Sequence, residues 1–228
     1  MAACGGDDAG EGQLDVYAAA SLAEVFPQIE SAARFSFAGS DELATQIREG
    51  APADVYAAAS SKYPQELLEE GLVEEPVTFA SNRLVLIVPR GNPAAIETVE
   101  DVLRHGTRLV VAAEGVPVGD YTRTVLETLG LSAALDNVVS NEDDVKGVVG
   151  KVALGEADAG FIYATDVTTV ADRVLAFELP DGAQLPIEYQ VAVVVGTDEE
   201  DAARAFVETL RSETGRKALE QAGFVVPT

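Results

Sequence analysis

One six-residue string, VYAAAS, occurs twice in this chain, at 16–21 and again at 55–60. Each copy is an apolar run that narrows to small residues and ends on a hydroxyl, and FSFAGS (35–40) repeats the design between them. Continuous apolar character over so few residues marks a strand buried on both faces, as in a parallel sheet. Helical patterns follow at once, over 22–29 and over 41–49. Alternation at this spacing dictates βαβ units. Ser21 and Ser40 therefore stand where a buried strand hands over to a helix. A helix start offers unpaired N–H groups and the positive end of the dipole. Two such starts, each led by a hydroxyl, predict a small oxyanion site built from neutral donors.

The first part of the chain predicts strands over 14–20, 34–38 and 53–59, and a long strand over 81–89. Ser21 is expected to cap the helix 22–29, with Glu24 completing a capping box, and Pro27 to end or kink it. Gly50-Ala51-Pro52 stops the second helix, and 62–70 forms a third, stopped by Gly71. Arg90-Gly91-Asn92-Pro93 breaks the long strand and marks a crossing to a second unit. There the pattern gives a short helix 99–103, a strand 108–113, a turn 114–119 and a helix 120–129. A strand 137–140 and a helix starting between 141 and 145 and running to 154 come next, then a strand 159–163 with Tyr163 at its tip. The segment from Pro180 to Pro186 is a second crossing, followed by a strand 189–195 and closing helices 199–213 and 215–222.

The predicted fold is therefore α/β with two lobes, a hinge and a central cleft. A flexible leader spans 1–13, the first lobe 14–89 plus 187–228, and the second lobe 90–186. Ligands in open α/β sheets bind at the carboxyl ends of strands, where Ser21, Ser40 and Tyr163 fall.

Charge limits the partners. With 39 acidic against 15 basic residues the formal net charge is -24, which argues against nucleic acid because phosphate backbones need basic patches. The field of such a surface also repels anions, but screening confines it to about 8–10 Å at physiological salt, so local N–H donors can prevail. No apolar run reaches the roughly 18–20 residues of a membrane-spanning helix. The single cysteine, Cys4, excludes an internal disulfide. Its setting, Met1-Ala2-Ala3-Cys4-Gly5-Gly6 ahead of an acidic tail, resembles the end of a bacterial lipoprotein signal, so lipidation at Cys4 and export are expected. His105, the sole histidine, sits beside Arg104 and Gly106 at a helix end and reads as solvent-facing. GVVGK (147–151) lacks phosphate-loop spacing, and no nucleophile elbow, zinc-binding helix motif or cysteine pair occurs. Taken one at a time, Ser21 and Ser40 read as plain caps and Tyr163 as a half-buried strand aromatic; it is the two serines in equivalent turns, joined to the family resemblance that follows, that point to a ligand.

Taken together, AAASLAEVF (18–26), FAGSDELATQI (37–47), GAPADVYAAAS (50–60), NRLVLIVP (82–89), VPVGDYT (116–122), GEADAGFIYATD (155–166) and QAGFVVP (221–227) resemble the molybdate-binding proteins of bacterial ABC importers. These belong to the type II periplasmic binding proteins. The resemblance covers nearly all of the chain after residue 13. It implies a non-enzymatic binding protein without a cofactor, a monomer outside the cytoplasm that closes on molybdate or tungstate and delivers it to a membrane permease. It further implies that Ser21 and Ser40 donate hydroxyl and backbone N–H from the first lobe. From the second, Val118 and Val145 would donate backbone N–H and Tyr163 its hydroxyl. The sequence departs from the family's usual pattern at Val118, where alanine is common, and in a short segment between Pro27 and Phe35. Asp41 and Glu42, in the first turn after Ser40, are expected to point away from the cleft. The alternatives are another tetrahedral oxyanion such as sulfate, an enzyme on the same frame, or a ligand-sensing domain. An enzyme would need a general base, which none of the matched residues supplies.

Overall fold

The computed structural model describes residues 12–227, so Cys4 and its expected lipidation lie outside the described residues. Ten strands form two five-stranded sheets. The first runs β2 (Arg34–Ala38), β1 (Asp15–Ala19), β3 (Val55–Ala58), β10 (Ile187–Val193), β4 (Val77–Asn82). The second runs β7 (Val138–Glu142), β6 (Leu109–Ala112), β8 (Ala159–Tyr163), β5 (Leu84–Pro89), β9 (Val174–Glu178). In each sheet four strands run in one direction, and the fifth, β10 in one and β5 in the other, runs antiparallel to its neighbours on both sides.

The two copies of the repeat lie side by side in register, Val16 against Val55, Tyr17 against Tyr56 and Ala18 against Ala57. Their side chains alternate between faces with the period of two that a strand imposes. Val16, Ala18, Val55 and Ala57 enter the main core with Phe26, Phe79 and Phe206. Tyr56 and Ala58 enter a smaller core with Leu43, Ile47 and Leu67. The latter come from α2 (Ser40–Arg48) and α3 (Lys62–Glu69), while α1 (Phe26–Ile29), α6 (Glu200–Arg211) and α7 (Glu213–Gln221) belong to the opposite side. In the second lobe α4 (Pro117–Thr128) and α5 (Val145–Ala153) flank the sheet.

Four local expectations are corrected. The stretch 81–89 is not one strand. Its first two residues finish β4 in the first sheet, and after Arg83 the chain enters β5 in the second. The first crossing thus falls at Arg83 rather than at Arg90, and 84–89 packs with the second lobe. An apolar run carries no mark of which sheet its hydrogen bonds join. The helix expected over 22–29 is a short 3-10 turn, Ala20–Leu22, followed by α1, in which Pro27 occupies the start rather than the end. Proline suits that position because the first helical N–H has no partner to lose. No side-chain cap forms there, and Ser21 bonds elsewhere. A capping box does form between Thr98 and Asp101. Finally, α4 begins at Pro117, so Val118 lies in its first turn rather than in the preceding loop.

Candidate functional site

Six chain turns converge where the sheets' carboxyl ends face each other. The first lobe contributes the ends of β1, β2 and β3 with Ser21, Ser40 and Ala59. The second contributes the starts of α4 and α5 with Val118 and Val145, and the tip of β8 with Tyr163. All five residues singled out in the sequence line this one cavity, which measures about 20 Å³ on the scale where one water takes about 10–15 Å³. Its wall is otherwise alanine, glycine, proline and valine, with Asp144 the one charged residue. The small strand ends of the VYAAAS copies are what leave room for a ligand at the backbone.

The wall is rich in donors. In α2 the first intrahelical bond is Leu43 N–H to the Gly39 carbonyl (3.1 Å), so the amides of Ser40, Asp41 and Glu42 precede the helical ladder. In α4 it is Asp120 N–H to Val116 (2.9 Å), which leaves Val118 and Gly119 ahead of it, Pro117 having no N–H. In α5 the Asp144 carboxylate caps the Gly147 amide at 2.9 Å; that bond turns its charge toward its own helix and leaves Val145 ahead of the ladder. Three helix N-termini thus face one small space, each with the partial positive charge of its dipole.

The hydroxyls add direction. Ser40, 1% exposed, accepts the Ala59 N–H at 3.1 Å, so its own hydrogen is free to donate. Its carbonyl accepts the Tyr56 hydroxyl (2.6 Å), which fixes the turn from beneath. Ser21 Oγ lies 2.9 Å from Tyr189 Oη. Tyr163 Oη is buried without any hydrogen-bond partner among the described residues, and burial pushes the phenol well above its ordinary pKa. It stays a neutral donor with nothing to donate to. Gly39 is required for another reason: a Cβ there would meet the Asp41 carboxylate (2.6 Å) and the Asp143 carbonyl of the opposite lobe (2.7 Å).

Asp41 lines a separate depression with Glu42 and Asp143, outside this cavity. Burial raises its pKa while backbone N–H groups lower it. Across the rim, Tyr63 of α3 donates to the Gly115 carbonyl of the second lobe, and Lys62 Nζ lies 3.8 Å from Asp120. Behind the site, Lys146 Nζ sits 3.0 Å from Asp166, which is 1% exposed. Burial pushes that carboxyl up to about 6 against the opposing pull of Lys146. Sequence reasoning missed Ala59, Tyr189 and the rim residue Tyr63. No local pattern ties them to Ser21, Ser40 or the second lobe, because they meet only through the folded sheet.

Comparison with known proteins gives the family and the fold. The sequence profile of the bacterial extracellular solute-binding proteins matches residues 14–225. The molybdate-binding protein ModA of Mycobacterium tuberculosis is 37% identical over 232 aligned residues, covering 97% of this chain and 88% of the relative. Among solved structures, the periplasmic molybdate-binding protein of Azotobacter vinelandii superposes with a TM-score of 0.85 at 23% identity, covering 95% of this chain and 100% of that one. The sulfate-binding protein SubI of Mycobacterium tuberculosis superposes with a TM-score of 0.78 at 18% identity, covering 93% and 86%. Both structures share the two-lobe α/β fold. The chain belongs to the bacterial extracellular solute-binding proteins.

Proposed function

We propose that this protein captures molybdate, and tungstate with it, outside the cytoplasm and delivers it to the membrane permease of an ABC transporter. Ser21 and Ser40 hold the anion from one lobe and Val118, Val145 and Tyr163 from the other. The observation that carries the reading is the Tyr163 hydroxyl, buried and unpartnered at a cavity walled by N–H and O–H donors. A buried unsatisfied hydroxyl costs about 1–3 kcal/mol, a cost that an anionic acceptor removes. The absence of lysine and arginine from that wall favours an ion recognised by hydrogen-bond geometry. A donor-only ring accepts a fully deprotonated tetrahedral dianion and penalises hydrogen phosphate, whose proton finds no acceptor. Because the donors come from both lobes, the anion binds the closed arrangement better and shifts the population toward it. The ModA relatives support molybdate as the cargo; the family resemblance supports a monomer, and the setting of Cys4 between Met1-Ala2-Ala3 and Gly5-Gly6 supports an anchor there.

Thermal melts with molybdate, tungstate, sulfate and phosphate test the reading. A ligand at about 100 times its dissociation constant stabilises by about 2.7 kcal/mol, roughly 5–10 °C for a chain of this size. A rise with molybdate and tungstate alone is expected. A rise with sulfate alone would replace the ligand, and no rise with any of the four would overturn the site.

A further inference from the structure

We infer that Asn82 and Tyr189 are positioning residues that fix the Ser21 hydroxyl as a donor into the cavity. The inference rests on the site reading above and adds two residues outside the cavity wall. The chain of bonds starts at backbone. Asn82 Oδ1 accepts the Arg83 N–H at 2.9 Å, which settles the orientation of the amide, so Nδ2 faces the other way. Nδ2 donates to Thr165 Oγ1 at 2.9 Å and reaches Tyr189 Oη at 3.4 Å. Tyr189 is wholly buried, and Ser21 Oγ is the neighbour 2.9 Å from its hydroxyl.

Counting protons gives the direction. If Ser21 donated to Tyr189, the phenolic hydrogen would have no acceptor among the described residues, a cost comparable to a lost hydrogen bond. If Tyr189 donates to Ser21, both Asn82 Nδ2 hydrogens and the phenolic hydrogen are used and the Ser21 hydrogen is left to point at the cavity. The polarity thus runs from Asn82 to Tyr189 to Ser21 to the anion. The tyrosine cannot swing out of the chain, since its ring packs edge-on against Tyr163 (5.8 Å), Phe79 (6.3 Å) and Phe224 (5.2 Å). The arrangement also has a place in lobe closure. Asn82 ends β4 in the first lobe just before the chain crosses at Arg83, and its partner Thr165 follows β8 in the second lobe. Without the relay the Ser21 hydroxyl rotates, and its oxygen can accept a hydrogen bond from the O–H of a protonated ligand, so the site loses its preference for fully deprotonated oxyanions.

The test is a double-mutant cycle on the full-length protein, read by calorimetric titration with molybdate and with inorganic phosphate. Ser21→Ala weakens molybdate by roughly 10–150-fold if its hydroxyl bonds the dianion; an unchanged affinity there would sink the site assignment itself. Given that loss, Tyr189→Phe is expected to weaken molybdate about tenfold without weakening phosphate, narrowing the ratio between them. In the Ser21→Ala background the same change is expected to alter molybdate affinity less than about twofold, as for residues acting as one unit. Equal losses in both backgrounds, or no loss in either, would overturn the relay while leaving the site standing. If Tyr189→Phe does not fold, Asn82→Asp serves in its place. It keeps the acceptor for Arg83 N–H, presents an acceptor to Tyr189, and predicts the same loss with the same dependence on Ser21.

Discussion

Tyr163→Phe separates a hydroxyl kept for a ligand from one kept for the fold. The Tyr163 ring is buried to 2% exposure and its hydroxyl has no partner. Removing the oxygen leaves the packing against Tyr189 in place and deletes a buried polar group that contributes nothing to the ligand-free protein. Relief of an unsatisfied hydroxyl is worth up to about 1–3 kcal/mol. At roughly 2–4 °C per kcal/mol for a chain of this length, the ligand-free melting temperature stays level or rises by several degrees. Binding moves the other way. A hydrogen bond to a charged acceptor contributes about 1.5–3 kcal/mol, so molybdate affinity falls by roughly 10–150-fold. Differential scanning calorimetry of the ligand-free variant, paired with calorimetric titration of molybdate, reads both quantities. A fall of several degrees with affinity unchanged would refute the argument, because it would mean that the hydroxyl has a structural partner and no ligand.

Three further outcomes follow from other residues. Ser40→Ala is expected to lower both quantities, in contrast to Tyr163→Phe, because Ser40 Oγ already accepts the Ala59 amide; the ligand-free melt drops by about 2–10 °C for the roughly 1–3 kcal/mol of an orphaned N–H. A ligand-free melt that stays level would show that the Ala59 bond carries no weight. Tyr63→Phe removes a bond that spans the lobes, and stopped-flow dissociation of molybdate is expected to quicken by about 2–12-fold; an unchanged rate would mean that the rim contact does not hold the closed form. Asp166 carries a carboxyl raised to about 6 from its ordinary 3.8, so between those values the folded state binds more protons than the unfolded one. Its contribution to stability is therefore full below about pH 4 and lost as pH rises through 6. Melting-temperature differences between the wild type and Asp166→Asn, taken from pH 4 to pH 7, are expected to shift toward the variant across that window. A flat difference would show that Lys146 compensates the charge completely.

The doubly repeated VYAAAS and the FAGS turn between its copies were enough to specify buried parallel strands, the helices after them and the position of Ser21 and Ser40 at strand-to-helix turns, because strand and helix periods and small-residue strand ends are local properties of the chain. The same local reasoning placed a helix start between 141 and 145, where the structure begins α5 at Val145, and Tyr163 at a strand tip. It failed at Ser21, where the capping pattern with Glu24 is present but the backbone takes a 3-10 turn and the hydroxyl bonds Tyr189, 168 positions away. It also failed at Arg83, where one continuous apolar run divides between two sheets. Sequence by itself determined the elements, their alternation and the donor types at their ends. Only the tertiary structure decided which sheet each strand joins, which donors share one cavity and in which direction the Ser21 hydroxyl points, because those are set by hydrogen bonds and packing between residues that the chain brings together only when both lobes are folded and facing.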